Sequence, residues 1–352
     1  MEKRKLDVYN GLRNESRNNG RKALFVSYSK LEKFLKCRLA YKLQYIDKEK
    51  VTYESNIHSE IGTLCHDIIE KTIAENLSRE QYVEEFLTKS KAITDKFSLD
   101  HYIPLIKSLR HFFENSDFKE RYTKAEFEVP VTYKLRYDKE DTDVYIVGFI
   151  DCVLHREDGS VDIIDFKTSN KSSYSGKKLQ QALVQPFTYA YIYEYMTRKK
   201  INQVGYHFLK YVDMTFVDTK GKNRKSSKVE RKDIDTDFKN KNGEGNLVLK
   251  DSFSFFEYNN ETRLSYMKQL VDLFKEVDSL SIEAFTCKDR DVSFCDRFCP
   301  FKDHPKCNKH EVDREEPFLM KDALSIMFSA SDNALGMDLS ALDDYWKERG
   351  VK

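Results

Sequence analysis

Apolar and polar positions alternate with a helical period in the first third of the chain and with a strand period in its middle. "SYSKLEKFLKCRLAYKLQYI" (27–46) sets Leu31, Phe34, Leu35, Leu39, Leu43 and Ile46 at helical spacing, with Ser27 or Ser29 as the cap. "SEIGTLCHDIIEKTIAENL" (59–77) repeats the pattern, with Ile61, Leu64, Cys65, Ile68 and Ile69 on one side. Residues 79–115 predict two more helices. The segments "AEFEVPVTYKL", "DVYIVGFIDCVLHRE", "SVDIIDFKT", "NQVGYHFLKYVD" and "NLVLKDSFSFFEY" then predict strands. Helices are predicted over 177–199, where Pro186 is a blemish, and over 261–279. This order predicts one α/β or α+β core with helical decoration.

The boundaries that follow are a frayed, flexible N-terminus over 1–26, a helical region over 27–118, a core over 119–282, a cysteine module over 283–312 and a tail over 313–352. The basic stretch "TKGKNRKSSKVERKD" (219–233) predicts a mobile loop, whose Lys222, Arg224 and Lys225 are candidates for phosphate contact near a nucleic-acid path. In the tail, Leu339, Leu342 and Trp346 at i, i+3 and i+7 predict a short helix. It either packs on its own domain or docks on a partner.

Composition narrows the function classes. The chain has 352 residues, with 60 Lys plus Arg against 59 Asp plus Glu. That balance excludes a polybasic, histone-like protein, but a nucleic-acid enzyme needs only a local positive groove. No run of about 18 apolar residues is present, so no membrane span is expected. The polar start lacks a secretory h-region, which leads us to expect a cytoplasmic protein with reduced thiols. Without a G-x-x-x-x-G-K-[ST] motif the chain carries no P-loop motor, so unwinding would come from a partner.

The segment "VGFIDCVLHREDGSVDIIDFKTSN" (147–170) interrupts apolar strands with Asp151, Asp165 and Lys167. A carboxylate inside a sheet costs several kcal/mol unless something pairs with it. Asp165 and Lys167 share a strand face, with Phe166 opposite. A two-residue loop at Asp158-Gly159 would put Asp151 across from Phe166. A three-residue loop, Glu157-Asp158-Gly159, would put it across from Asp165, and a left-handed Gly in third place suits that loop. Two adjacent carboxylates repel, and a divalent cation removes the conflict; hard oxygen ligands suit Mg²⁺ or Mn²⁺. Lys167 would then orient an attacking water or stabilise charge on a phosphorane-like transition state. The bland alternative is an ordinary salt bridge. Three further signals mean little alone: "GTLCH" puts Gly62 one turn before His66, "QPFTY" puts Gln185 and Tyr189 on one helix face, and "AEFEVP" offers Glu126 and Glu128.

In combination and in this order, helix Cys, G-x-x-x-H, strand Glu, G-x-x-D, D-x-K-T and Q-x-x-x-Y resemble the RecB-type branch of the PD-(D/E)xK nucleases. That branch includes AddB-type domains and CRISPR-adaptation nucleases with an iron–sulfur cluster. The resemblance runs from about Ser27 to Cys307. It implies a restriction-endonuclease-like α/β core sheet flanked by helices, with an N-terminal helical region and a C-terminal cysteine module. His66, Asp151 and Asp165 would ligate Mg²⁺ or Mn²⁺ with the Phe166 carbonyl, and Lys167 would be the catalytic lysine. Gln185 and Tyr189 would position the substrate backbone and the lysine, and Glu126 would be the acid of the preceding strand. The implied activity is a metal-dependent deoxyribonuclease, an exonuclease on single-stranded DNA or DNA ends, in recombination, repair, or phage or CRISPR DNA processing. The competing reading is a non-catalytic assembly factor that uses the fold as a scaffold for nucleic acid.

"CKDRDVSFCDRFCPFKDHPKC" gathers Cys287, Cys295, Cys299 and Cys307. Exposed thiols oxidise, so four in one polar loop argue for a bound metal. Zinc sites usually use close C-x₂₋₄-C pairs, and here only Cys295 and Cys299 are close. The resemblance implies a [4Fe–4S] cluster on Cys295, Cys299, Cys307 and Cys37 of the first helix, with Cys287 as the rival fourth ligand. Here C-x₃-C replaces the frequent C-x₂-C, and Zn²⁺ is the alternative metal. Cys65 and Cys152 read as core thiols.

Overall fold

Helices and strands alternate along the chain in the order α1 (Glu2–Asn18), β1 (Lys22–Val26), α2 (Tyr28–Lys36), α3 (Arg38–Tyr41), α4 (Ile57–Ala74), α5 (Arg79–Thr94), α6 (Ile103–Asn115), α7 (Phe118–Arg121), β2 (Ala125–Leu135), β3 (Thr142–His155) and β4 (Val161–Lys167). They continue with α8 (Gly176–Thr197), β5 (Ile201–Val217), β6 (Asn223–Glu230), β7 (Val248–Glu257) and α9 (Asn260–Ser279). This computed structural model describes residues 2–50, 57–95, 102–137, 139–217, 220–234, 247–288, 290–292, 294–295 and 299–307. The tail with Leu339, Leu342 and Trp346, read above as a helix, lies outside the described residues. The chain forms two units: Met1–Thr52, Pro130–Gly148 and Lys268–Lys352 make the first, Tyr53–Val129 and Phe149–Met267 the second.

In the first unit, the expected frayed N-terminus is corrected. Residues 2–18 form α1, and Gly20 at φ +69 closes it. The backbone N–H of Gly20 bonds Arg17 O at 2.9 Å and that of Arg21 bonds Ser16 O at 2.9 Å, a Schellman stop. Buried Ser16 donates to Asp143 Oδ2 at 2.9 Å, and Arg21 Nε meets Asp143 Oδ1 at 2.7 Å. These anchors are polar and distant in sequence, so apolar periodicity could not show them. β1 pairs in parallel with the first half of β3, from Lys22↔Thr142 to Val26↔Ile146.

The predicted helix over 27–46 is broken at Cys37. Ser27 caps α2, and Cys37 then takes an extended conformation at φ −164, ψ 113. Its Sγ accepts the Ala40 N–H at 3.4 Å, so the sulfur serves as N-cap of α3, which runs into a π-turn at Lys42–Ile46.

In the second unit, α4, α5, α6 and α7 bury one apolar face each. Ile61, Ile68, Phe86, Phe112 and Phe113 are fully enclosed with Cys65, Cys152 and Phe166. The second half of β3 runs antiparallel to β4, and β4 runs parallel to β5 through the crossover helix α8. α8 runs through Pro186, which forgoes one backbone bond without ending the helix. β5 also pairs antiparallel with β6 and β7. The basic stretch is therefore not a loop in the described residues. Arg224 and Lys225 lie in β6, paired with Phe216 and Thr215 of β5, and Gly221 at φ +74 turns the chain beside Lys222. β6 is mostly exposed, so its polar sequence shows no inward face to read.

Candidate metal and catalytic site

The site starts from a turn. Glu157, Asp158 and Gly159 form the loop between β3 and β4, and Gly159 sits at φ +82. Arg156 N–H bonds Ser160 O at 2.9 Å, and Asp158 Oδ1 accepts from Ser160 N at 3.0 Å and from its Oγ at 2.6 Å. The loop fixes His155↔Val161 and, counting back, Cys152↔Ile164. One further step sets Asp151 against Asp165, the second of the two registers that the sequence allows. Asp151 Oδ2 accepts the Phe166 N–H at 3.0 Å. Phe166 points its ring the other way, 5.4 Å from that of Tyr122 and 5.9 Å from that of His207.

α4 supplies the imidazole. His66 Nε2 stands 3.2 Å from the Phe166 carbonyl oxygen and Nδ1 stands 3.6 Å from Asp151 Oδ2. Gly62, one turn earlier, lies so near the end of β4 that a Cβ there would come within 3.4 Å of Thr168 Oγ1.

β2 supplies the third acid, and it is Glu128. One ligand atom each from His66, Glu128 and Asp151 lies within 4.8 Å of the others. Glu126 is corrected: its Oε1 meets His155 Nε2 at 2.5 Å, and its side chain is 55% exposed. Glu128 has φ +48, a left-handed backbone that a non-glycine residue adopts at a cost. Strict alternation would put Glu126 and Glu128 on one face, and the local distortion separates them.

Lys167 forms an ion pair with Asp165 Oδ2. Its ammonium lies 5.4 Å from the centre of the Tyr206 ring and 5.8 Å from that of Tyr174, two neighbours to which no motif pointed. Burial works against the ammonium, but Asp165, then Tyr174 and Asp151, outweigh it and raise its pKa. Asp151 moves the other way from an ordinary carboxyl: burial lifts its pKa to about 6, with Asp165 adding to the rise and His66 opposing it. A half-buried carboxylate under such repulsion, beside a second acid and an imidazole, fits a hard divalent cation. On α8, which packs on β4 and β5, Gln185 is half-buried and Tyr189 buried.

A second cluster occupies the first unit. Cys37, Cys287 and Cys299 share one apolar pocket with Leu39, Leu43 and Phe301, and Cys307 packs against it. Cys295 is also buried. Burial pushes the Cys37 thiol up to about 12; the Ala40 N–H opposes this, and Cys299, Cys287 and Cys295 add to it. Cys65 and Cys152 lie apart, in the core of the second unit.

No curated protein matches the chain. A solved structure described as "Crystal structure of SSO0001" aligns with 79% of this chain and 84% of its own at 13% identity, but a TM-score of 0.32 makes it too loose a likeness to argue from. The model of the PD-(D/E)XK nuclease superfamily matches residues 26–304, a span that contains His66, Glu128, Asp151, Asp165 and Lys167. The chain belongs to the PD-(D/E)XK nuclease superfamily, whose members typically use Mg²⁺ or Mn²⁺.

Proposed function

We propose that the chain is a metal-dependent deoxyribonuclease of the RecB type, acting as an exonuclease on single-stranded DNA or DNA ends. The observation that carries this reading is the convergence of His66, Glu128 and Asp151 within 4.8 Å, beside the Asp165–Lys167 pair. His66, Glu128, Asp151 and Asp165 would hold Mg²⁺ or Mn²⁺ with the Phe166 carbonyl. When bound, the ion lowers the pKa of water and neutralises phosphate charge. The residues of the chain do the rest. Lys167 is held protonated, so it acts as a donor rather than a base, orienting water and meeting negative charge as it grows on the phosphate. The Phe166 N–H fixes the Asp151 carboxylate, and the Tyr174 and Tyr206 rings flank the ammonium. Gln185 and Tyr189 would position the DNA backbone. Lys222, Arg224 and Lys225, on and beside the exposed β6, would contact its phosphates.

The thiol cluster is read as a [4Fe–4S] site. Cys295, Cys299, Cys307 and Cys37 are the proposed ligands, with Cys287 as rival and Zn²⁺ as the alternative metal. The support is that these five thiols are drawn from both ends of the first unit and that their thiolates would repel without a cation. A helicase or single-strand-binding partner for the tail is an expectation from sequence. No helix of the described residues is long and apolar enough to cross a membrane.

The test uses end-labelled linear and circular DNA, single- and double-stranded, with Mg²⁺, Mn²⁺ or chelator. Linear single strands should be shortened with either metal and untouched with chelator. Lys167→Ala should cut the rate at least about 100-fold, on the scale of removing one transition-state donor. Intact DNA under every condition would overturn the reading.

A further inference from the structure

The first unit contains a cavity of about 450 Å³, separate from the residues that would hold the divalent ion. Its size is that of a site for a small organic group. Phe25, Tyr41, Tyr45 and Phe285 supply aromatic walls, and Lys22 and Lys30 supply cations. The Tyr41 ring stacks on Phe285 at 6.0 Å and 14°, and Tyr45 continues the series 5.2 Å from Tyr41. Tyr41 and Tyr45 are both half-exposed, so ring surface remains open to the cavity.

The charge is as informative as the rings. The one lining carboxylate, Asp278, is already engaged by Lys139 and by the Tyr137 hydroxyl at 3.0 Å. Lys30 donates to the Phe25 carbonyl at 2.9 Å and lies 5.6 Å from the Tyr45 ring centre. Among the described residues no carboxylate pairs with Lys30 or Lys22. Burial, and then the Arg13 guanidinium, depress the Lys30 pKa, so this ammonium lacks the anion that would relieve it. Stacked aromatic faces beside unneutralised lysines are the chemistry that recognises a base with its phosphate, whatever the base.

We propose that this cavity takes one unpaired nucleotide of a single-stranded nucleic acid, its base against Tyr45 and Tyr41 and its phosphates met by Lys30 and Lys22. The choice of ligand rests on the nuclease reading. The site and its residues do not.

Binding is measured by fluorescence anisotropy with labelled single-stranded oligonucleotides in EDTA, where no cleavage occurs. Tyr45→Ala should weaken binding about 5- to 150-fold, the range for one stacked base. An oligonucleotide with abasic sites should bind the wild type and Tyr45→Ala alike. Lys22→Ala, at an exposed position that leaves folding intact, should reduce the slope of log affinity against log salt by about 0.7. Lys30→Gln should do the same. Equal affinities for wild type and Tyr45→Ala, with an unchanged salt slope in Lys22→Ala, would overturn the proposal. So would a Tyr45-dependent affinity for a free mononucleotide together with a Tyr45-independent affinity for the oligonucleotide. Lys167→Ala separates this site from the nuclease reading through cleavage, not through binding. Lost cleavage in Lys167→Ala with no Tyr45 effect removes this site and leaves the nuclease. An intact Tyr45 effect in a protein that never cleaves does the reverse.

Discussion

Glu128 reaches the site through a backbone that ordinary strand residues avoid, at φ +48. Such a conformation costs on the order of 1–3 kcal/mol and persists where its surroundings impose it. The expected gain is a third donor beside His66 and Asp151. Glu128→Ala should therefore lower cation affinity by at least about 10-fold, which even outer support residues of metal sites can cost. Glu126→Ala, which removes only the contact to His155, should cleave like the wild type; a cleavage assay on the two variants decides between them. The sequence showed both acids and the resemblance picked Glu126; the structure brings Glu128 to the site instead, because alternation assumes a regular strand and the backbone at Glu128 is not regular. It did allow Asp151 and Asp165 to stand together, since a glycine in third place suits the three-residue loop that the structure adopts. Asp151 also predicts a pH effect. Its folded pKa, about 6, exceeds the unfolded carboxyl value of about 3.9, so the metal-free fold binds the proton more tightly. That stabilising contribution is complete below about pH 4 and is lost as pH rises through about 6. In chelator, the melting temperature of the wild type relative to Asp151→Asn should rise as pH is lowered from about 7 to about 5. A flat difference would mean that burial and the neighbouring Asp165 do not raise the Asp151 pKa.

Elements were legible where apolar period and local turn chemistry agreed. α4, α8, α9 and the strands β2, β3, β4, β5 and β7 lie close to their predicted bounds. Four departures remain, with separate reasons. α1 is held by a buried polar contact from Ser16 to Asp143, β1 by its parallel pairing with β3, β6 is an exposed edge strand without an apolar face, and the helix through Cys37 breaks although its apolar spacing continues. The break turns Cys37 Sγ towards the Ala40 N–H at 3.4 Å, which a continuous helix could not do. The hairpin offers the clearest element-scale test. Gly159→Ala forces a side chain to φ +82 and should destabilise the fold by about 1 kcal/mol or more, read from the urea midpoint. An unchanged midpoint would mean that the turn does not hold the register of Asp151 and Asp165.

At the scale of the whole molecule, the two units assemble from interleaved segments, and each gathers its own cluster of ligand-type side chains. Cys37 and Cys307 lie near opposite ends of the described chain, so a shared metal would close a long loop, restricting the unfolded chain by an amount on the order of several kcal/mol. Protein purified without oxygen should be brown and hold about four irons per chain, the complement of Cys₄ ligation. Cys37→Ser should lose iron and melting temperature together, whereas Cys65→Ser and Cys152→Ser should keep the iron. Iron retained in Cys37→Ser but lost in Cys287→Ser would move the fourth ligand to Cys287, and one tightly held zinc in a colourless protein would replace the cluster altogether. The sequence left Cys37 and Cys287 as rivals for the fourth ligand, and the fold places both in one apolar pocket with Cys299.

His66, Glu128 and Asp151 are proposed to form one cation site. Calorimetric titration with Mn²⁺ tests it most directly, because it reads the ion without requiring a substrate. The wild type should bind Mn²⁺ with an affinity that falls below about pH 6, as the proton on Asp151 competes. Asp151→Asn, Glu128→Gln and His66→Ala, each shown folded by its melting curve, should each weaken that binding. Mn²⁺ bound as tightly by all three variants as by the wild type would mean that these side chains do not share a cation.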